Sequence, residues 1–292
     1  GLGDVYKRQL EDAALAVGLV LALSLWAFTI KSGVFPNHFW LPDAHPAAPT
    51  PVSALLSGLV VNAGAVSLYK VLYLGFSASQ LPGVRVVVES VSLIALVTGL
   101  ASSFLGGLLM VVQADVKRLI AYSTVMNMGF VFMSIATLSP TGVLGFVYYT
   151  VVHSLAKATL FLSVGPVIRA AASRRLDRIA GLGRSILPSG AALAVSTLTL
   201  AGIPPLPGFL GKLLIYQALF QYNVAAAVLF VVSSAVGLVS YMRLFYVLLV
   251  SPPTQTPAPV HAPLMKSVLA VLSALLVAAG LVFTFSRSAF DY

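Results

Sequence analysis

The 292-residue chain has no cysteine and little charge, with 17 Lys and Arg, 8 Asp and Glu, and 9% charged residues in all. Without cysteine it can supply neither thiolate ligands for an iron–sulfur cluster nor thiol redox chemistry nor disulfides. No cofactor is therefore expected on it, and any redox centre must sit on a partner. The shortage of charge excludes an ordinary soluble domain, in which about a quarter of residues are charged. Histidine is scarce too, four in all, and only His153 lies deep in an apolar run, which leaves no facing pair of axial ligands for haem. The net charge of +9 does not indicate nucleic-acid binding, because the basic residues sit in short connections rather than interleaved with aromatics on a polar face.

What the chain has is apolar length: 59% of it is hydrophobic and the mean hydropathy is +0.99. That is enough for roughly eight spans of about 20 residues in a lipid bilayer. Runs such as 224–250 do not alternate, which excludes a β-barrel. The fold class expected is all-α, a polytopic transmembrane bundle with spans at 12–35, 51–74, 86–112, 118–138, 142–169, 187–221, 223–250 and 263–286. No connection between them is long enough for a soluble domain, so residues 10–292 read as one transmembrane domain. Residues 1–9 resemble translated adapter sequence and are set aside.

If the spans alternate in direction, the connections after the first, third, fifth and seventh share one face. That face collects Lys117, Arg118, Arg169, Arg174, Arg175, Arg178 and Arg184, whereas the other has Arg85 and Arg287. The positive-inside rule then puts the Arg-rich 169–184 loop in the cytoplasm of a cell membrane and the C-terminus outside.

Two spans are interrupted. The first carries Lys31-Ser-Gly-Val-Phe-Pro36 and runs on to Pro42, and the sixth carries Gly202-Ile-Pro204-Pro205-Leu-Pro207-Gly208. Proline removes a backbone donor and breaks the helical ladder, and irregular backbone at membrane depth is tolerated only where protein or a wet cavity surrounds it. Paired broken helices point to inverted repeats and an ion path; the alternative is that both are surface loops. Each break has a lysine close by.

A charge at bilayer depth costs roughly 2.5–3.5 kcal/mol on insertion scales, so Lys31, Lys157 and Lys212 each need a reason to be there. Tyr149, His153 and Lys157 are spaced i, i+4, i+8 and share one helix face over about 12 Å. A lysine shifts its proton affinity readily when buried and histidine titrates near neutrality, so this stripe suits a proton relay. The other reading is a snorkelling lysine above a core histidine. His38, Asp43 and His45 lack a fourth ligand and are separated by prolines, so loop capping and helix packing are expected there rather than zinc; no metal site is expected. His261 lies in a polar, Pro-rich connection and is expected to be solvated. Asp115 suits the N-terminus of the fourth span, and the segment from Gln113 to Thr124 is given no chemistry of its own.

The blocks Trp40-Leu-Pro-Asp43-Ala-His45, Gln113-Ala-Asp-Val-Lys-Arg-Leu-Ile-Ala-Tyr-Ser, His153-Ser-Leu-Ala-Lys157-Ala-Thr-Leu-Phe and Gly202-Ile-Pro-Pro-Leu-Pro-Gly-Phe-Leu-Gly-Lys212 resemble the signature of the antiporter-like membrane subunits. These include the proton-pumping subunits of respiratory complex I, membrane-bound hydrogenase subunits and the large subunits of Mrp-type sodium/proton antiporters. The resemblance implies inverted repeats, each with a broken helix, within a subunit of about 14 helices of which this chain is the C-terminal part. It implies that Lys31 pairs with an acidic residue on an earlier helix, that Lys157 is the central lysine with His153 in its relay, and that Lys212 passes protons to the outer face. Where the family carries a histidine one turn before His153, this chain has Tyr149. Where it carries a lysine or histidine after the first break, this chain has Ser57 and Asn62. The implied function is proton translocation within a redox-driven complex of several membrane subunits, of the NADH dehydrogenase or hydrogenase kind, the alternative being a Na+/H+ antiporter subunit. The partners expected are other membrane subunits, protons or sodium, and lipid, with no nucleic acid.

Overall fold

In the computed structural model the described residues are 2–256, 258 and 263–285, with side chains from residue 11 to residue 282, and they form a helical bundle. Its helices are α1 (Leu2–Ser32), α2 (Trp40–Ala47), α3 (Thr50–Phe76), α4 (Pro82–Val112), α5 (Val116–Ala136), α6 (Pro140–Ala171), the one-turn α7 (Leu182–Ser185), α8 (Ser189–Ala201), α9 (Pro207–Tyr222), α10 (Val224–Val250) and α11 (Pro263–Phe285). Seven of them (α1, α3, α4, α5, α6, α10 and α11) are long and apolar enough to cross a membrane. Helices α8 and α9 have 13 and 16 residues, about 20 and 24 Å at 1.5 Å per residue. Each falls short of a hydrocarbon core about 30 Å thick, so together they make one broken crossing. The chain is a polytopic helical membrane protein. Backbone helix also runs through residues 2–9, which the sequence does not mark as a helix start. His261 and Arg287 lie outside the described residues.

Local chemistry sets the helix ends. Proline occupies the first helical position of α4, α6 and α9, where its missing N–H costs nothing. Asp115 caps α5 by accepting from the amides of Lys117 at 2.8 Å and Arg118 at 3.2 Å. Ser139 caps α6 through the Gly142 amide and Asn223 caps α10 through that of Ala226. Helix α3 contains two stretches of π geometry, Leu56–Val60 and Tyr69–Phe76, the first holding Ser57.

Helix α5 is the axis of the bundle, with every residue from Ser123 to Thr137 buried. Its tightest neighbour is α4: a Cβ placed on Gly129 would lie 2.4 Å from the Gly99 carbonyl oxygen. Small residues at such a seam let two backbones approach where lipid gives no hydrophobic push.

The connections after α2, α4, α6 and α10 meet at one end, as alternating spans require. The Val116 amide donates to the Arg174 carbonyl at 3.0 Å and Leu176 to Ala114 at 2.8 Å. Arg174 pairs with Asp115 at 3.1 Å and also reaches the Pro46 carbonyl. Arg118 pairs with Asp43 at 2.7 Å, Lys117 Nζ donates to the Ala48 carbonyl at 2.7 Å, and Thr254 Oγ1 donates to that of Arg178 at 2.9 Å. In the same loop the hydrogen bond from Arg175 holds the Asp177 carboxyl below its usual range.

Candidate functional site

Both breaks lie at the level of their neighbours' middles. Below α1, Ser32 Oγ donates to the Val61 carbonyl at 3.0 Å and the Phe35 amide donates to Ser102 Oγ at 2.6 Å. Gly33 adopts φ +63°, a turn that a side chain would strain. Lys31 therefore sits at mid-depth beside Gly64, whose added Cβ would be 3.1 Å from Lys31 Cβ. Its side chain is exposed on the bundle surface and has no ion-pair partner among the described residues. At the second break Gly202 has φ +83°. There Lys212 Nζ donates to the Ala201 carbonyl at 3.0 Å and to Ser234 Oγ at 3.2 Å. A cation on the last carbonyl of α8 sits where the helix dipole is negative. A cavity of about 310 Å³ opens beside this lysine, lined among others by Phe209, Phe230 and Ser234.

Between the breaks, α6 presents Tyr149, His153 and Lys157 to the interior, all essentially inaccessible to solvent. Lys157 Nζ donates to the Ile120 carbonyl at 3.0 Å and to Ser123 Oγ. No carboxylate pairs with it among the described residues. One turn further along α5, Asn127 Nδ2 donates to the Ser123 carbonyl at 2.5 Å and to Tyr241 Oη at 2.8 Å. Tyr149 Oη in turn donates to Asn127 Oδ1 at 2.5 Å. A polar run thus leads from Lys157 through Ser123 and Asn127 to Tyr149. Lys212 stands beyond it with Nζ 5.6 Å from the centroid of the Phe130 ring, and Phe130 is edge-on to Tyr149 at 6.5 Å. The structure brings Tyr149, His153, Lys157 and Lys212 into one region and leaves Lys31 apart on the outer face of α1.

His153 shares the stripe, but among the described residues neither of its ring nitrogens has a hydrogen-bond partner, and the same holds for Thr150 Oγ1 and Asn62 Oδ1, all buried. Asn62 Nδ2 donates to Ser154 Oγ at 2.6 Å. Ser57 and Thr124 share a hydroxyl hydrogen bond of 2.7 Å, and Thr124 Oγ1 donates to the Ile120 carbonyl at 3.1 Å. That carbonyl also receives Lys157, so Ser57 is linked to the lysine through Thr124 and the shared carbonyl. Among the described residues no three His, Asp or Glu converge as a metal site would need. Asp43 pairs with Arg118, His38 packs on Phe39 at 4.4 Å, and His45 stacks on Phe161 at 4.5 Å. Both histidine rings thus pack on aromatic neighbours.

Ser123, Thr124, Asn127 and Tyr241 are not marked by sequence reasoning. The segment to Thr124 is read there as structural, and Tyr241 is 114 residues from its partner. Asn127 had a usable signal, since an amide inside an apolar span is costly unless bonded.

Residues 6–237 match the family described as NADH:quinone oxidoreductase/Mrp antiporter, transmembrane. The chain belongs to this family. It is 33% identical over 287 residues to NADH-quinone oxidoreductase subunit N 2 of Syntrophobacter fumaroxidans, a match covering 96% of this chain and 57% of the relative. It is 30% identical over 254 residues to hydrogenase-4 component B of Escherichia coli, covering 81% of this chain and 36% of that protein. Its fold superposes on a subunit of the Mrp complex from Dietzia sp. with TM-score 0.80 at 25% identity, covering 92% of this chain and 57% of that one. The chain spans about half the length of the relatives it matches.

Proposed function

We propose that this chain is a proton-translocating membrane subunit of a redox-driven complex, in which other subunits carry the electrons and this one carries the proton path. The observation that carries the reading is Lys157, fully buried and without a carboxylate, held by a carbonyl and a hydroxyl at the head of a polar run. A bare ammonium at this depth is costly, so its protonation responds to any charge that moves nearby, which is the coupling a pump needs. Protons move from Lys157 along the polar side of α5 past Ser123, Asn127 and Tyr149 towards Lys212, carried by water, because Asn127 meets Ser123 at a backbone carbonyl that cannot relay a proton, and leave through the cavity beside Lys212. His153 supplies a second exchangeable site on the stripe. Lys31 takes an acidic partner from a neighbouring helix, since a mid-depth cation on the bundle surface needs one. The Arg-rich end is cytoplasmic by the positive-inside rule.

The test is Lys157→Ala in the assembled complex reconstituted into vesicles. Electron transfer should persist while most proton pumping is lost; full pumping by this variant would refute the assignment. The fold likeness to an Mrp subunit supports a second reading, a Na+/H+ antiporter subunit. Sodium-dependent collapse of a pH gradient with no electron donor present would select it.

A further inference from the structure

We propose that His45 is the residue through which protons reach Lys157 from the charged-loop end. This rests on the proton-path reading above and names its access point. His45 lies in α2, which packs on α5, and its side chain is fully buried, yet among the described residues neither Nδ1 nor Nε2 has a hydrogen-bond partner. Its ring stacks on Phe161 at 4.5 Å. Phe161 is one turn beyond Lys157 on α6, about 6 Å along the helix.

A ring that only filled space would gain nothing from two nitrogens. Each buried, unpaired polar group costs about 1–3 kcal/mol, and phenylalanine would make the same stack without that cost. The surroundings place the ring between solvent and the buried lysine. On the loop side Lys117 of α5 bonds to the Ala48 carbonyl, Arg174 reaches the Pro46 carbonyl and pairs with Asp115, and Asp43 of α2 pairs with Arg118. On the inner side the ring lies against Phe161, and Lys157 is one turn back from Phe161 on α6. From α3 the neighbour is a hydroxyl: Ser53 Oγ donates to the His45 carbonyl at 3.0 Å. One turn on, Ser57 joins Thr124 and through it the carbonyl that holds Lys157.

The step balances without another reactant. A hydronium at the loop end gives a proton to one ring nitrogen and leaves as water, the other nitrogen releases its proton to the neutral Lys157 amine, and a half-turn of the ring within the stack brings the newly protonated nitrogen to the inner side and the bare one to the loop side.

The test is His45→Phe in the intact complex, reading assembly, electron transfer and proton flux in vesicles beside Lys157→Ala. The proposal expects His45→Phe to assemble at least as well as the parent, because two unpaired nitrogens are gone, while proton flux falls at least tenfold. Parental flux from His45→Phe, with Lys157→Ala inactive, overturns the role of His45 and leaves the path standing. Parental flux from Lys157→Ala overturns the path itself. If His45→Phe fails to assemble, His45→Ala with added imidazole decides: flux restored by imidazole supports the shuttle, and flux that imidazole does not raise overturns it.

Discussion

Tyr149→Phe separates a conducting hydroxyl from a packing one. The substitution keeps the ring against Phe130 and Gly211 and removes only the donor on Asn127 Oδ1. Hydrogen bonds between membrane helices average about 0.6 kcal/mol in double-mutant cycles, with a maximum near 1.7. The average is close to one RT, so assembly should shift by about threefold. The effect on transport should be larger, because Tyr149 is the last hydroxyl of the run before Phe130 and Lys212. Losing it should raise the transfer barrier by more than about 1.4 kcal/mol, that is, slow flux at least tenfold. The assay is proton uptake into vesicles holding the whole complex, normalised to assembled complex and to electron transfer. Asn127→Leu combined with Tyr149→Phe closes the cycle: because Asn127 also bonds to the buried Tyr241 Oη, the double variant should assemble no better than Asn127→Leu alone, while its flux should stay as low as that of Tyr149→Phe. Flux that falls no more than assembly does would refute a conducting role.

Two other measurements bear on the fold. Because the chain lacks cysteine, single substitutions Ser185→Cys and Ala78→Cys report sidedness with an impermeant maleimide; the first should react only from the cytoplasm and the second only from outside. Gly129→Leu should abolish assembly, since even a Cβ there would come 2.4 Å from the Gly99 carbonyl oxygen and overpacking costs about 1–3 kcal/mol or more; normal assembly would mean that the seam between α4 and α5 can open.

The spans were legible in the sequence because a bilayer demands long apolar runs, and the breaks because Gly33, Pro36 and the Gly202–Pro207 stretch cannot continue a helix. Boundaries shifted where local rules decided: the third span begins at Pro82 rather than 86, proline being a good first residue. The sixth span resolves into Ser189–Ala201 and Pro207–Tyr222. Lys157 and Lys212 stood out because charge at depth is rare. Ser123 and Tyr241 did not, because hydroxyls in apolar spans are unremarkable until packing aligns α5 with α6 and α10; the amide of Asn127, costly in such a span unless bonded, was the legible member of the group. His45 read as packing, and it does pack. What the sequence could not display was that both its nitrogens go unpaired.

Helix α5, enclosed on every side and locked to α4 backbone against backbone, behaves as a stator. It cannot tilt or slide without opening the glycine seam, so the distances from Ser123 to Lys157 and from Asn127 to Tyr149 are fixed to a rigid post. Motion during turnover is left to side chains turning about that post and to the two unwound segments, where a lysine stands close to an interrupted backbone. At the second of these, Lys212 Nζ holds the carbonyl at the end of α8. Turning Lys212 towards the adjoining cavity would release that carbonyl, so the lysine acts as a latch on the interrupted backbone.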